Sequence, residues 1–405
     1  MKASQIAVNQ SQKIQRVGVI GGGQLAWMMA PAAEALGVEL LVQTPHTTDP
    51  AAVVAADTVL AAIDDAIATA KLAARCDVIT FENEFINLEA LRLLEQQGTI
   101  FRPRLSALAP LLDKYHQRCY LQDLGLPTPQ FATIESELAA DAIGDLVGKW
   151  SVNRKFPVVL KARRHGYDGQ GTFIIKNEAE LQSICAKLGP QPLLVEEFVP
   201  FERELAAIAA RSVTGEVAIF PLVETQQENQ VCRRAIVPAD ISLEVMTQIQ
   251  AIAHQLLNSL QVVGVFGIEL FLTSEGKIFV NEIAPRTHNS GHFTIDACET
   301  SQFEQHLRAV CQLPLGRTTL KCDWAIMVNL LGYEYAQSDY AAKRQQLAQI
   351  PGAHVHWYGK SESRPGRKLG HVTVVQEGKS QGDKRSEALA LAHTLESIWY
   401  ENQLG

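Results

Sequence analysis

Two glutamates in otherwise apolar segments have the spacing of a metal site. Glu269 and Glu282 lie on either side of Glu275-Gly276. If these two residues form a hairpin turn, Ser274 pairs with Lys277, and Glu269 lies directly opposite Glu282. Facing carboxylates repel unless a cation lies between them. Because Mg²⁺ binds one or two carboxylates together with substrate phosphates, the pair predicts a magnesium site. A partly exposed or protonated acidic pair is the alternative.

Two glycine motifs predict phosphate contacts. Lys161 is followed by Gly166-Tyr-Asp-Gly-Gln-Gly171, a loop whose amides can approach phosphate oxygens, unless it is an ordinary hairpin turn. Gly21-x-Gly23-x-x-Ala26 follows the first apolar segment and resembles a dinucleotide fingerprint. A dinucleotide site usually adds an acidic residue at the end of the second strand, and Gln43 stands there. A turn that is structural, or that binds another phosphate, is therefore favoured.

Polar and basic residues mark two further segments. Asn281-Glu282 continues into Ala-Pro-Arg286-Thr-His288-Asn289-Ser290-Gly291-His292, a density of hydrogen-bonding groups that predicts binding rather than packing alone. His288 and His292 have a metal-ligand spacing, but the lack of a nearby thiolate or third histidine in the sequence counts against zinc. Lys360, Arg364, Arg367 and Lys368 form a basic cluster, which alone is usually a solvated loop.

The elements that carry these residues change in character along the chain. Strand and helix patterns alternate to about residue 110, which predicts a doubly wound parallel sheet. The central part mixes a helix at 111–125 with strands and with hairpins, and the part from about 314 contains short strands before a final helix. The predicted fold class is therefore α/β, with α+β character in the centre.

Composition restricts the kinds of protein that this chain can be. Its 405 residues allow two or three domains, and 47% hydrophobic with 20% charged residues is ordinary for a soluble protein. A net charge of -8 argues against a nucleic-acid or membrane-surface binder. An odd count of 7 cysteines without a Cys-x-x-Cys pair favours a reducing cytoplasm. We find no apolar run that would span a membrane, and residues 1–15 resemble a loose leader rather than a signal peptide.

Six strings together resemble the ATP-grasp superfamily and, more closely, its 5-(carboxyamino)imidazole ribonucleotide synthase family. The combination of the last two is the most specific. The strings are GGGQL at 21–25, TFENE at 80–84, LKARRHGYDGQGT at 160–172, VEEFVPFERELA at 195–206, VNEIAPRTHNSGH at 280–292 and GK…RKLGH at 359–371. The resemblance implies an ATP-grasp fold with a leader at 1–15, a Rossmann-like domain at 16–110, an ATP-grasp domain at 111–313 with a lid at about 150–222, and a C-terminal domain at 314–405.

The resemblance also implies roles for individual residues. Catalysis would use Lys161, Tyr167 and Arg286, and Mg²⁺ would bind Glu269 and Glu282. Residues expected to bind ATP are Lys114, Lys161, Gly166, Tyr167, Asp168, Gly169, Gln170, Gly171, Thr172, Glu196, Glu197, Phe198, Val199, Glu204, Gln227, Asn281 and Glu282. Residues expected to bind the ribonucleotide are Gly23, Gln24, Leu25, Glu82, Glu84, Asn289, Ser290, Lys360 and Arg367. Departures from the usual family pattern occur at Phe85, Lys114, Arg118, Gln170 and Gln227, and none removes a proposed metal ligand.

The activity implied by the family is a ligation that belongs to purine biosynthesis. Bicarbonate and MgATP would give carboxyphosphate, from which the amine of aminoimidazole ribonucleotide takes the carboxyl group. A cytoplasmic homodimer with no nucleic-acid or membrane partner is expected. Three alternatives remain at this point: a formate-dependent glycinamide ribonucleotide transformylase, a nicotinamide-dependent oxidoreductase, and a non-catalytic nucleotide-binding module.

Overall fold

The computed structural model of the protein describes residues 14–135, 156–164, 166, 171–189, 191–228, 230–360, 362–377 and 383–400. Most of the predicted leader therefore lies outside the described residues. Parts of the predicted lid at about 150–222 also lie outside the described residues, among them the predicted site residues Tyr167, Asp168, Gly169 and Gln170.

The described strands lie in three sheets. Their bounds are β1 Arg16–Ile20, β2 Glu39–Thr44, β3 Asp57–Leu60, β4 Val78–Phe81, β5 Phe131–Ile134, β6 Val158–Ala162, β7 Thr172–Ile175, β8 Leu193–Glu197, β9 Phe201–Arg211, β10 Val217–Ile219, β11 Val223–Glu228, β12 Val231–Val237, β13 Gly264–Thr273, β14 Ile278–Ala284, β15 Trp324–Leu331, β16 Ala353–Trp357 and β17 Lys368–Gln376.

The described helices cover the faces and ends of these sheets. Their bounds are α1 Gln24–Leu36, α2 Ala66–Ala73, α3 Leu88–Gln96, α4 Leu105–Leu108, α5 Lys114–Asp123, α6 Glu178–Leu188, α7 Leu243–Leu260, α8 Thr294–Ala297, α9 Gln302–Val310, α10 Ala341–Ala348 and α11 Lys384–Trp399, with 3₁₀ turns at Pro50–Val53 and Asn289–Gly291. Among the described helices, none combines the length and the apolar character that crossing a bilayer requires.

The N-terminal sheet is the doubly wound parallel sheet that the sequence predicts. Its strand order is β3-β2-β1-β4, and β1 pairs in parallel with both β2 and β4. Gly21 follows β1 with a φ of 115°, a left-handed conformation that favours glycine, and the chain then turns into α1. Gln43 at the end of β2 is fully buried, and its Nε2 donates to the carbonyls of Ala62 at 2.7 Å and Asp65 at 3.1 Å. A buried structural amide therefore stands where a dinucleotide site would need an acidic residue.

Two antiparallel sheets form the rest of the described chain. The smaller has the order β5-β8-β6-β7, and Leu181 and Cys185 of α6 pack against it. The larger has the order β14-β13-β9-β11-β12-β15-β17-β16, with β10 paired to β9. Because β12 pairs with β15, this sheet continues across the boundary predicted at residue 314. The boundaries of the predicted domains stay predictions.

The hairpin β13–β14 confirms one part of the sequence argument and corrects another. Glu269 pairs with Glu282, as predicted. The two-residue turn is wrong, because Thr273 N donates to Lys277 O at 3.0 Å and the loop contains three residues. A bulge restores the predicted register: Leu270 pairs with Val280, so that Asn281 is the extra residue before Glu282. Bulges change the direction of side chains near active sites. This one allows the consecutive residues Asn281 and Glu282 to line the same cavity.

His306 joins the N-terminal sheet to the large sheet. Its Nδ1 accepts the Val265 N–H at 3.1 Å, and its Nε2 lies 2.8 Å from Thr80 Oγ1. The ring is therefore neutral with its proton on Nε2, and burial lowers the pKa of His306 to about 4.

This depressed pKa predicts a loss of stability in acid. Above pH ~6.5 the ring is neutral in both the folded and unfolded states; as the pH falls toward 4, only the unfolded state gains the proton. The loss reaches about 3 kcal/mol, at about 1.4 kcal/mol per pH unit. We expect His306→Gln to flatten the dependence of the unfolding free energy on pH between about 4.5 and 7, measured by urea denaturation, whereas exposed His254→Gln keeps the wild-type slope. If the unfolding free energy of wild type and of His306→Gln depended equally on pH, His306 would not be the cause of the acid sensitivity.

Candidate active site

A cavity of about 1160 Å³ collects most of the residues singled out in the sequence. Its walls come from the first glycine turn, the small sheet and the β13–β14 hairpin. Predicted site residues that line it are Gln24, Leu25, Glu82, Glu84, Lys114, Lys161, Gly166, Thr172, Glu196, Glu197, Phe198, Val199, Glu204, Gln227, Glu269, Asn281, Glu282, Arg286 and Asn289. Described residues that were predicted but do not line it are Gly23, Gly171, Ser290, Lys360 and Arg367.

The facing carboxylates Glu269 and Glu282 both line this cavity. Burial and the charge of Glu282 raise the pKa of Glu269 to about 7. Burial also acts to raise the pKa of Glu282, but Lys114 lowers it, since Lys114 Nζ lies 2.6 Å from Glu282 Oε1. On Glu269, His288 Nε2 lies 3.4 Å from one oxygen. Lys114 therefore compensates the charge of Glu282, whereas the pKa of Glu269 stays raised. A divalent cation bound between the two carboxylates would stabilise both in the ionised form.

Glu204 adds a third carboxylate beside this pair. It lies on β9, directly across from Phe271 of β13, and it lines the cavity. Burial raises the pKa of Glu204 to about 8, and the charge of Glu269 acts in the same direction. A carboxyl group that is neutral near pH 7 can both donate and accept a hydrogen bond, as recognition of a hydroxyl requires.

Lys161 is held by a buried ion cluster that the sequence did not reveal. Lys161 Nζ lies 2.7 Å from Glu196 Oε2 and 3.0 Å from Asn281 Oδ1. Arg118 Nε bonds the other Glu196 oxygen, and its Nη2 donates to the Asn281 carbonyl at 2.5 Å. Burial acts to raise the pKa of Glu196, but Arg118 and Lys161 outweigh it and lower the pKa to about 2. Glu196 is thus ionised and fixes Lys161 beside the bulge of β14.

Arg286, also on the cavity wall, lies beside the two partly buried carboxyl groups of Glu82 and Glu84. Arg286 Nε lies 3.1 Å from Glu84 Oε1. Glu82 Oε1 accepts the Leu25 N–H at 3.4 Å, at the start of α1, and a Cβ added to Gly23 would lie 2.4 Å from the same oxygen. Burial raises the pKa of both Glu82 and Glu84, and Arg286 is the largest influence that opposes it. Glycine at position 23 therefore leaves room for Glu82.

Lys360 and Arg367 of the basic cluster do not line the cavity, whereas Lys368 of the same cluster does. Lys360 Nζ donates to the Lys368 carbonyl at 2.7 Å, and Arg367 Nη1 donates to the Glu362 carbonyl at 2.8 Å. The charge of Lys360 is close enough to lower the pKa of Glu82, although burial outweighs it. Lys368, for which the sequence suggested no role, lines the cavity and acts on the pKa of Glu269.

Three family models match successive parts of the chain. A ribonucleotide synthetase preATP-grasp domain matches residues 14–109, an ATP-grasp domain matches 119–303, and a phosphoribosylaminoimidazole carboxylase C-terminal domain matches 325–385.

Curated relatives and solved structures agree with these matches. N5-carboxyaminoimidazole ribonucleotide synthase of Synechococcus elongatus is 55% identical over 95% of this chain and 96% of its own. The Synechocystis enzyme of the same name is 51% identical over 96% of this chain and 99% of its own. A crystal structure of N5-carboxyaminoimidazole synthase from Aspergillus clavatus, in complex with ADP and aminoimidazole ribonucleotide, has a TM-score of 0.86 at 29% identity, over 96% of this chain and 99% of that one. The chain therefore belongs to the N5-carboxyaminoimidazole ribonucleotide synthase family of ATP-grasp ligases.

Proposed function

We propose that this cavity carries out the ATP-dependent carboxylation of 5-aminoimidazole ribonucleotide in purine biosynthesis. Bicarbonate oxygen attacks the γ-phosphorus of ATP, ADP leaves, and carboxyphosphate forms. The amine of the ribonucleotide then attacks the carboxyl carbon, phosphate leaves, and the amine loses a proton. The facing pair Glu269 and Glu282, beside Lys161, is the observation that carries this proposal.

The charged residues around the bulge of β14 support ATP binding in this half of the site. ATP-grasp enzymes use ATP with divalent metal ions, and we propose Mg²⁺ held by Glu269 and Glu282, because hard carboxylate oxygens suit it. Bound there, Mg²⁺ would neutralise phosphate charge. Lys161, positioned by Glu196, would hold a phosphate, and Glu204 would bind the ribose hydroxyls. The backbone of 196–199 would contact adenine; the predicted lid residues 167–170 lie outside the described part of the chain.

The ribonucleotide half would occupy the end near Arg286. Arg286 offers a two-pronged donor for the bicarbonate-derived carboxyl group. Glu82 and Glu84, close to the start of α1, would approach the aminoimidazole. Further residues proposed to hold the ribonucleotide are Gly23, Gln24, Leu25, Asn289, Ser290, Lys360 and Arg367. A closed cavity excludes water, which protects a labile acyl phosphate.

The formate-dependent alternative shares the ATP machinery and differs in its second substrates. It is not favoured, because the curated relatives at 55% and 51% identity are both carboxyaminoimidazole ribonucleotide synthases. Incubation with ATP, ribonucleotide and ¹³C-bicarbonate tests the two: we expect ribonucleotide-dependent ADP formation and a ¹³C carbamate signal. Turnover that needs formate and glycinamide ribonucleotide instead would overturn the proposal. The cytoplasmic location and the homodimer stay predictions of the family resemblance. Analytical ultracentrifugation can test whether the protein is a dimer.

Arg367→Ala is expected to weaken ribonucleotide binding. A phosphate dianion needs charge-assisted donors, and we propose that Arg367 and Lys360 bind the 5′-phosphate. Loss of a charged hydrogen bond of about 1.5–3 kcal/mol predicts a rise of roughly tenfold or more in the KM for the ribonucleotide, with little change in the KM for ATP. Steady-state kinetics with each substrate varied in turn measures both. Arg344→Ala is the control, because Arg344 pairs with Asp339 at 3.0 Å elsewhere in the C-terminal part. If Arg367→Ala raised the KM for ATP alone, the assignment of the basic cluster to the ribonucleotide would be wrong.

A further inference from the structure

Three potential metal ligands meet where the C-terminal strands pack on the central part of the chain. They are Asp296 of α8, His356 of β16 and His371 of β17, and their ligand atoms lie within 4.8 Å of one another. We name these three residues the His–Asp cluster. None of the three lines the cavity described above.

Strand pairing and one helix create the cluster. His356 and His371 are direct cross-strand partners in the antiparallel pair β16–β17, and their rings stack with centroids 4.5 Å apart. α8 packs against β17 and presents Asp296, whose Oδ2 lies 2.9 Å from His356 Nε2. Two imidazoles and a carboxylate thus converge from three separate elements.

His371 has an unused nitrogen inside this cluster. The residue is 0% exposed, and its Nδ1 lies 2.8 Å from the Tyr358 hydroxyl, whereas its Nε2 has no hydrogen-bond partner among the described residues. Metal-binding histidines commonly use one ring nitrogen for the ion and the other for such a hydrogen bond, which fixes the tautomer.

We propose that the His–Asp cluster binds one divalent cation of the zinc class. Two imidazole nitrogens with one carboxylate oxygen are a donor set that Zn²⁺ accepts, and a fourth position is left for water. Because the three ligand atoms lie within 4.8 Å of one another, metal binding would require them to move closer together. The outer side is open to solvent, because the His354 side chain is 48% exposed and its Nδ1 lies 3.7 Å from Asp296 Oδ1.

The His–Asp cluster differs from the Glu269–Glu282 pair in its ligand atoms and in the effect that its metal would have. Glu269 and Glu282 offer only oxygen ligands, which suit Mg²⁺, whereas imidazole nitrogen favours Zn²⁺ over Mg²⁺. The cluster connects α8 to the C-terminal hairpin β16–β17, so bound metal would stabilise the packing of these parts rather than take part in carboxylation. Since the metal binds only the folded state, it raises the melting temperature.

Zinc binding to the full-length, metal-stripped protein tests this proposal. Calorimetric titration with Zn²⁺ is done in excess Mg²⁺, which occupies the oxygen site, and Co²⁺ titration followed by visible absorption reports imidazole coordination. We expect one tight Zn²⁺ per chain, a rise in melting temperature and visible Co²⁺ bands. His356→Ala and the near-isosteric Asp296→Asn should each weaken binding by at least about tenfold, a conservative value for loss of a ligand.

Two controls separate this site from other binding. Glu282→Gln removes a ligand of the proposed magnesium site, and His254→Ala removes an exposed histidine on α7; both should bind Zn²⁺ as wild type does. Absence of tight Zn²⁺ binding overturns the proposal. So does binding that survives both His356→Ala and Asp296→Asn in folded protein, or binding that Glu282→Gln abolishes.

Discussion

Glu282→Gln is expected to lower ATP turnover at least about 100-fold while the fold survives. The glutamine keeps the size of the side chain but removes the charge that faces Glu269 across the hairpin. A cation held by few protein ligands binds far more weakly once one carboxylate is lost. Glu269→Gln is expected to have the same effect. ADP formation with bicarbonate and ribonucleotide present measures the loss, and circular dichroism checks the fold.

The same hairpin supplies a matched control. Glu275 lies in its turn, and its side chain is 69% exposed and pairs with exposed Lys277. Glu275→Gln makes the same chemical change outside the cavity and should keep normal turnover. High Mg²⁺ should partly restore Glu282→Gln, because mass action offsets weaker binding. ATPase activity near the wild-type level in either cavity variant would show that the metal assignment is wrong.

The hairpin also shows what local sequence patterns can predict. Alternating apolar residues determine which faces of β13 and β14 are buried, so two glutamates on the opposite face had to be close. The predicted turn was one residue too short, and the bulge at Asn281 compensated for this difference in the pairing. Bulges leave no clear signal in a single sequence, since Asn281 could equally continue the regular strand. The facing pair was therefore predicted correctly, although the path of the backbone between its members was not.

Contacts between distant parts of the chain were beyond such reasoning. Arg118, Lys161 and Glu196 come from α5, β6 and β8, and only the folded arrangement brings them together. The sequence predicted Lys161 as a phosphate ligand on a motif, but nothing local showed that buried Glu196 and Arg118 hold it. Parallel pairing at the N-terminus was easier, because strands that alternate with helices admit few arrangements.

Arg286 and its two carboxyl neighbours illustrate the same limit and lead to the second large effect. Glu82 and Glu84 follow β4, and Arg286 follows β14, so their proximity is a tertiary feature. Burial raises the pKa of both carboxyl groups, and Arg286 is the largest influence that opposes this shift. Two explanations of Arg286 are then possible: it offsets the burial of Glu84, or it binds the carboxyl group that is transferred.

We expect Arg286→Ala to lower kcat about 100- to 1000-fold, a typical effect of losing one donor that stabilises developing charge. Ribonucleotide-dependent carbamate formation is the measurement, and Arg92→Ala, which removes the arginine of the exposed Arg92–Glu89 pair, is the control. The double variant Arg286→Ala with Glu84→Gln separates the two explanations, because glutamine needs no counter-charge. The double variant is compared with Glu84→Gln alone, because Glu84 is itself proposed to approach the aminoimidazole. If Arg286 acts on the transferred carboxyl group, the double variant is much slower than Glu84→Gln. Equal activity of these two variants would mean that Arg286 serves only to offset the burial of Glu84, and its proposed contact with the bicarbonate-derived carboxyl group would be wrong.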